Sequence, residues 1–492
     1  MNSPPPNFRP APDALLLELA DYVARPPAFC DAAYRTASHC LLDTLGCAML
    51  ALQLPACSRL LGPVVPGTTM PLGARVPGTD YELDPVTAAF DIGCCAGWLD
   101  FNDNCLSAER AHPSDNLGAL LAVADWLSRN TGHTHQLRAF DSPLPAPRAA
   151  LSVRDLLGAI VKTYEIHGVL AQENSFSSAG LDPVLLVRIA STAVATQLLG
   201  GTRDQIVDAL SHAWLDGSAL RTYRHAPNAV SRQGWAAGDA TSRAVLLALR
   251  VLAGEPGCPT ALTAPKWGFQ DTLLQGRPLT LSRSLGSSVM EQILFKISSS
   301  AEPNLQTAVE AAGKLHAQVA PRLAEVERVE IATHEAGLRF LDSSDPLTRP
   351  GDRRHCLPYL TALGLVFGRV TDGHFEDAVA RDPRLAALCA RMHPHEDPGF
   401  SQDYRDPDKH SLANAVQVFF RGGTHTERVT VEYPLGHHRR RAEGLPLLFD
   451  KAEAALRTRF DEDRAEEIVD LFDHPAGLES LPVDKFMEWW VP

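Results

Sequence analysis

His112–Leu127 reads HPSDNLGALLAVADWL, and the spacing of its apolar residues decides the fold class. Leu117, Leu120, Leu121, Ala124 and Leu127 recur in the three- and four-residue steps of one helix face, so this segment is expected to bury that face against other helices. Pro113 suits a first helical turn, while Ser114, Asp115 and Asn116 are cap-forming types that leave backbone N–H groups pointing outward. The same periodicity recurs on both sides. Leu15, Leu16, Leu19 and Val23 form one stripe and Leu41, Leu42, Leu45 and Met49 another, with further helices expected over 153–170, 184–199, 202–215 and 236–252. Between them, 130–150 (NTGHTHQLRAFDSPLPAPRAA) carries three prolines and little periodicity, which predicts a surface loop whose His-x-His pair is solvated.

Beyond about Gly286 the pattern changes. A helix is still expected over 306–319, but VERVEIAT at 326–333 alternates apolar and polar residues as a half-buried strand does. A second strand pair is expected at 415–420 and 428–433, with Val416, Val418 and Phe420 facing Val429, Val431 and Tyr433 across Gly422-Gly423. After Gly436 helical sequence returns, placing Leu448, Ala452, Ala455 and Leu456 on one face. The chain therefore reads as mainly α: a large helical domain over 1–290, completed by a tail at 436–492, and a smaller α+β domain over 291–435.

Composition narrows the function. The 492 residues include 45 Lys plus Arg against 59 Asp plus Glu, a net charge of −14, and this field repels nucleic acid and anionic membranes. An anionic substrate must therefore meet a local basic pocket. The ten cysteines lie mostly in apolar runs such as HCLLDTLGCAML, with no Cys-x-x-Cys pair, which predicts reduced core thiols, no metal and no disulfide framework. The start of the chain lacks the features of a secretory signal, so a cytoplasmic location is expected, with a mitochondrial one left open by Arg9. No run approaches the length needed to cross a bilayer.

Chemistry-bearing residues concentrate in LDFNDNCLSAERAHPSDN, residues 99–116. Asp100 and Asp103, three apart, would share one side of a helical turn. His112 has the pKa range of a proton carrier, although a histidine before a capped helix is ordinarily structural. Arg221, Arg224, His225, Arg232 and Arg243 form a basic cluster suited to carboxylates; structural ion pairing explains such a group equally well. Lys296 lies where the two patterns meet, and Tyr359 opens an apolar helix, where by default it is a core aromatic. No Ser/His/Asp order, nucleotide loop or HExxH pattern occurs.

Taken together, LDFND, AHPSDNLGALLAVADWL, GLDPVLLVRIAST, LRTYRHAPN, WAAGDATSRAV, ALTAPKWGF, LFKIS and VEYPLGH resemble the MmgE/PrpD family in its 2-methylcitrate dehydratase branch, over nearly the whole chain. The resemblance implies a helical domain, an α+β lid, a homodimer and an active site in the cleft between domains. It also implies dehydration of a tricarboxylate without an iron–sulfur cluster or other cofactor. Carried over by position, the family's pocket falls on Asp100, Asn104, His112, Asp182, Arg232, Lys296, Glu302 and Tyr359. His112 would be the principal acid/base group, with Asp100 or Asp103 beside it and Lys296 or Tyr359 assisting the departing hydroxide. Asn104, Ser114, Asp115, Arg221, Arg224, His225, Arg232 and Glu302 would bind substrate. Asn104-Cys105 stands where the family has Thr-Trp, and Ser299-Ser300-Ala301 where it has Phe-Pro-Ala. The lost volume would admit an alkyl group longer than methyl. A decarboxylase or isomerase of related acids, and a weakened paralogue that only binds tricarboxylates, are the alternatives.

Overall fold

A computed structural model describes residues 9–492 apart from 106–108, 110–111, 132–137, 140–141, 144–148, 217–218, 226, 282, 342–349 and 407. Most of the loop expected over 130–150 thus lies outside the described residues. The chain is mainly α-helical and divides into two units, one made of residues 1–294 with 449–492 and the other of 295–448. The second unit therefore runs past residue 435, where the sequence pattern had placed its end.

The first unit is built from α1 (Ala14–Ala24), α2 (Asp31–Leu52), α3 (Pro85–Gly97), α4 (Leu117–Arg129), α5 (Val153–Glu173), α6 (Leu185–Leu198), α7 (Arg203–Leu215) and α8 (Arg232–Leu252). Side-chain caps set several starts. Asp84 accepts from the Val86 and Thr87 N–H groups, Ser152 forms a capping box with Asp155, and Thr202 forms one with Gln205. All five members of the 117–127 stripe are buried.

Glycine sets how closely α3 meets its neighbours. A Cβ on Gly238 of α8 would lie 2.4 Å from the Phe90 carbonyl oxygen of α3, and one on Gly118 of α4 would lie 2.6 Å from that of Ala89. Hydrogen in place of a side chain lets backbone touch backbone on both sides of α3. Its C-terminal end is thereby fixed, and the loop leaving it carries Asp100.

The second unit contains α9 (Gln306–Val319), β1 (Val326–Thr333), α10 (Leu357–Phe367), β2 (Met392–Glu396), β3 (Asn414–Phe420) and β4 (Val429–Val431). The strands form one sheet in the order β4-β3-β1-β2. β1 pairs antiparallel with β3, setting Ile331 opposite Val416, and parallel with β2. β4 ends at Val431, short of the expected Tyr433, and Val429 stands opposite Val416. The core beneath the sheet joins Ala308, Leu315, Val329, Leu360, Leu363 and Val418.

A last long helix, α11 (Arg441–Leu456), carries the chain back into the first unit, where Ala452 and Ala455 pack on Gly46 of α2. Among the described residues no helix is long and apolar enough to cross a membrane.

Candidate active site

The loop after α3 does not continue as a helical turn. Asp100 has φ +52°, a left-handed conformation that aspartate tolerates better than most residues, and this turns its carboxylate away from that of Asp103. The expectation that both carboxylates share one side of a turn is thus corrected. Asp100 Oδ1 lies 2.8 Å from His112 Nε2. Asp103 meets the same ring through its backbone, with His112 Nδ1 2.9 Å from the Asp103 carbonyl oxygen.

That division of labour fixes the imidazole. Nδ1 carries a proton and donates it to a carbonyl, so Nε2 is the nitrogen left to take or give one. Asn104 Nδ2 lies 3.2 Å from the same Nε2. Its position is pinned because Asn104 and Cys105 pair antiparallel with Leu294 and Ile293. The His112 side chain is 18% exposed and that of Asp100 40%, so the pair is open to a small molecule.

The Asp103 side chain points inward, fully buried, accepting from Ser114 Oγ at 3.0 Å and Tyr164 Oη at 2.8 Å. Burial, with the nearby Asp43 charge, pushes its pKa up to about 6. Asn102 braces the other side, its Nδ2 lying 2.9 Å from both Ser114 Oγ and Asp115 Oδ1. Ser114, Asp115 and Asn116 therefore do not cap α4: Pro113–Asn116 is a 3-10 turn, and α4 starts without a side-chain cap. Their polar groups are used across the loop instead. Asn116 reaches the Pro113 carbonyl, His167 Nδ1 and Ser191. His167 is buried behind this turn, and desolvation, followed by the His112 charge, pushes its pKa down to about 3.

Arg224 joins the group from a short turn, 221–224. Its Nε donates to Asp182 Oδ2 and its Nη2 to Asp182 Oδ1 at 3.2 Å, Asp182 being fully buried. Burial works against the guanidinium charge, and Asp182 more than offsets it, with Asp100 adding to the effect. Arg224 also acts on Asp115, whose pKa burial raises against the opposing pull of His112. Arg232, in the first turn of α8, is bonded to Asp239 at 2.6 Å and stacks on Trp235 at 4.3 Å. A cavity of about 430 Å³ adjoins this segment, lined by Ala219, Leu220, Thr222, Tyr223, Asn228 and Arg232. Arg221 and His225 are placed by backbone bonds to Gly180 and Thr222, and His225 is exposed.

In the second unit Lys296 and Glu302 are buried, and Glu302 receives Asn304 Nδ2 at 2.8 Å and faces His355 Nδ1 at 3.4 Å. Tyr359 is fully buried in the apolar core, its hydroxyl donating to the His374 carbonyl at 3.1 Å, and burial pushes its pKa up to about 12. That is the placement of a core aromatic whose proton is already engaged.

The structure thus brings Asp100, Asp103, Asn104, His112, Ser114, Asp115, Asp182 and Arg224 into one network of the first unit. It adds Asn102, Tyr164 and His167, which the sequence reading passed over. Tyr164 and His167 sit inside KTYEIHGVL, where two polar rings in an apolar helix were the available signal.

Comparison with known proteins agrees over the full length. The N-terminal domain of the MmgE/PrpD family matches residues 17–282 and its C-terminal domain matches 300–474. The chain belongs to the MmgE/PrpD family. As an MmgE/PrpD protein it is 51% identical over 485 residues to a 2-methylcitrate dehydratase of Cupriavidus necator, covering 98% of each chain. It is 49% identical to the Escherichia coli 2-methylcitrate dehydratase, covering 99% of each, and 45% identical to the mitochondrial one of Yarrowia lipolytica, covering 99% of this chain and 91% of the relative. Within this MmgE/PrpD chain His112 lies in the segment between α3 and α4, inside the part matched by the N-terminal domain.

Proposed function

We propose that this chain is a hydro-lyase that removes water from 2-methylcitrate to give 2-methyl-cis-aconitate. The observation that carries the reading is the His112 imidazole, held by the Asp103 carbonyl at Nδ1 and faced by the Asp100 carboxylate at Nε2, in a chain whose curated relatives are 2-methylcitrate dehydratases. Removing a proton beside a carboxylate builds negative charge on an anionic substrate. Neutral His112 takes that proton on Nε2, and Asp100 stabilises the imidazolium that results. The imidazolium then gives its Nε2 proton to the departing hydroxyl, which leaves as water as the C–O bond breaks, and His112 is neutral again. Arg224 places positive charge beside the pair, with Asp182 holding its orientation. The roles of Lys296 and Glu302 rest on the family resemblance, as does the homodimer, which light scattering of purified protein tests; a cytoplasmic location rests on the reduced cysteines and the lack of secretory-signal features.

A second observation bears on the substrate's alkyl group. In the second unit a cavity of about 310 Å³, next to Lys296 in sequence, has aliphatic walls at Ile297, Val309, Val370 and Leu435 and polar ones that include Ser299, Gln306, Glu310, Lys314 and Arg369. Aliphatic walls of this kind suit a hydrocarbon chain longer than methyl. The test is one panel: 2-alkylcitrates from methyl to octyl, incubated with wild type, His112→Ala and Ser299→Phe, with water loss read by mass spectrometry. Wild type should turn over 2-methylcitrate, and His112→Ala should be slowed at least about 100-fold. Ser299→Phe should lose the longer substrates while keeping the methyl one. Full turnover by folded His112→Ala would overturn the catalytic reading; a wild type confined to methyl would overturn the longer-chain reading.

A further inference from the structure

A left-handed aspartate costs conformational energy, so neighbouring structure must hold Asp100 where it is. The residue after it provides the handle. Phe101 is buried, its carbonyl oxygen accepts from Lys451 Nζ at 2.9 Å, and the same ammonium sits 3.6 Å from the centre of its ring. Lys451 is itself nearly buried and donates to Asp43 Oδ1 of α2 at 2.7 Å. Asp43 in turn acts on Asp103, the residue whose carbonyl orients His112. Cys40, one turn before Asp43, also bonds the Asp103 side chain, alongside Tyr164 and Ser114. One ammonium from α11 therefore grips the loop between its two aspartates and ties it to α2.

We propose that Lys451 is a positioning residue of the reaction: anchored on Asp43, it clamps the carbonyl and ring of Phe101 and so keeps Asp100 in the left-handed conformation that aims its carboxylate at His112 Nε2. The inference rests on His112 being the acid/base group. The effect of Lys451 reaches the reacting atoms through the backbone between Phe101 and Asp100. Both partners are buried, so replacing the lysine alone with a side chain that offers no hydrogen-bond donor would strand the Asp43 charge and unfold the loop for an unrelated reason. Removing both separates the two effects.

The experiment compares wild type, Asp43→Asn/Lys451→Met, Lys451→Gln and His112→Ala as full-length enzymes, with rates normalised to folded protein. The double variant should melt near the wild type, keep KM within about twofold and lose about 10- to 100-fold in kcat, the scale of a misplaced catalytic group. The acidic limb of its kcat/KM profile should move to lower pH, because an imidazole without a carboxylate beside it holds its proton less tightly. Lys451→Gln, which keeps a donor for the Phe101 carbonyl, should recover part of kcat. Wild-type kcat and pH profile in the double variant would overturn the proposal. If that variant does not fold, Lys451→Gln decides: a shifted profile supports the clamp and an unshifted one overturns it. Turnover by His112→Ala would instead remove the parent reading, whatever the lysine variants do.

Discussion

Asp103 and Asp100 have the same side chain, and their surroundings give them opposite work. Asp100 is partly exposed and paired with His112 Nε2; Asp103 is buried, with two hydroxyls on its oxygens and a pKa of about 6. A carboxyl whose folded pKa stands above its unfolded value of about 3.9 favours the fold below that unfolded value, and the contribution is lost as pH rises from 4 through 6. At neutral pH the buried charge thus costs about 3 kcal/mol. Asp103→Asn abolishes that cost and misplaces one of the two hydroxyl bonds, a loss of about 1.5 kcal/mol. The variant should be more stable than wild type by about 1–2 kcal/mol at pH 7 by urea unfolding, and at pH 4, where the charge costs less than the misplaced hydroxyl bond, it should be the less stable of the two. Because the backbone carbonyl still orients His112, its kcat should fall far less than that of Asp100→Asn. The sequence supplied these residue types and the histidine. It could not supply the positive φ that separates the two carboxylates, since aspartate adopts both helical and left-handed turns. Asp43 was visible as one charge inside LLDTLGC, but its partner lies far along the chain at Lys451.

At the scale of elements, the helices were legible because each long one buries a single stripe, as α4 does with Leu117, Leu120, Leu121, Ala124 and Leu127. β2 was not. Its sequence, MHPHE, is mostly exposed and carries a proline, features that fit only an edge strand, and its parallel partner β1 supplies the order. The small residues Ala236, Ala237, Gly238 and Ala240 of α8 allow close packing, and Gly238 shows why they matter. A Cβ there would come within 2.4 Å of the Phe90 carbonyl and 2.9 Å of the Cys94 nitrogen, both main-chain atoms that cannot step aside. Gly238→Ala should destabilise the protein by about 1–3 kcal/mol, the range for overpacked interiors. Because α3 ends just before Asp100, the surviving folded enzyme should also lose activity. Thermal melting and kcat of the purified variant check both; a melt unchanged from wild type would refute the close-contact argument.

For the molecule as a whole, pH sets buried groups of opposite sign against each other. Burial holds His167, His334 and His437 neutral, with pKa values pushed down to about 3, 4 and 3. Each gives stability that is present above the unfolded histidine value of about 6.5 and is lost as pH falls toward the folded one. Burial also raises Asp91 to about 8 and Asp103 to about 6, and these two act in the reverse sense. Near pH 5 the unfolded chain takes up three histidine protons that the fold refuses, while the fold keeps two carboxyl protons that the unfolded chain has shed. Among these five groups the histidines prevail by about one proton, so together they remove about 1.4 kcal/mol of stability per pH unit on acidification around pH 5. His167→Gln should flatten that slope, measured as urea midpoints at pH 7 and pH 5; greater stability of wild type at pH 5 would contradict the assignment. The two-part composition of the chain was readable from the change in periodicity near residue 290. The point of return was not, because α11 is one continuous helix whose apolar face gives no sign of which unit it serves.

The first unit is made of two pieces of chain with the whole of the second unit between them. On the ribosome α2 and the Asp100 loop are therefore synthesised long before α11, and Gly46 waits for Ala452 and Ala455 until the whole second unit has been made. A nascent chain can form most of its helices early yet gain its finished loop only after the second unit is complete, and a premature stop upstream of Lys451 would leave a large fragment without the piece that closes it.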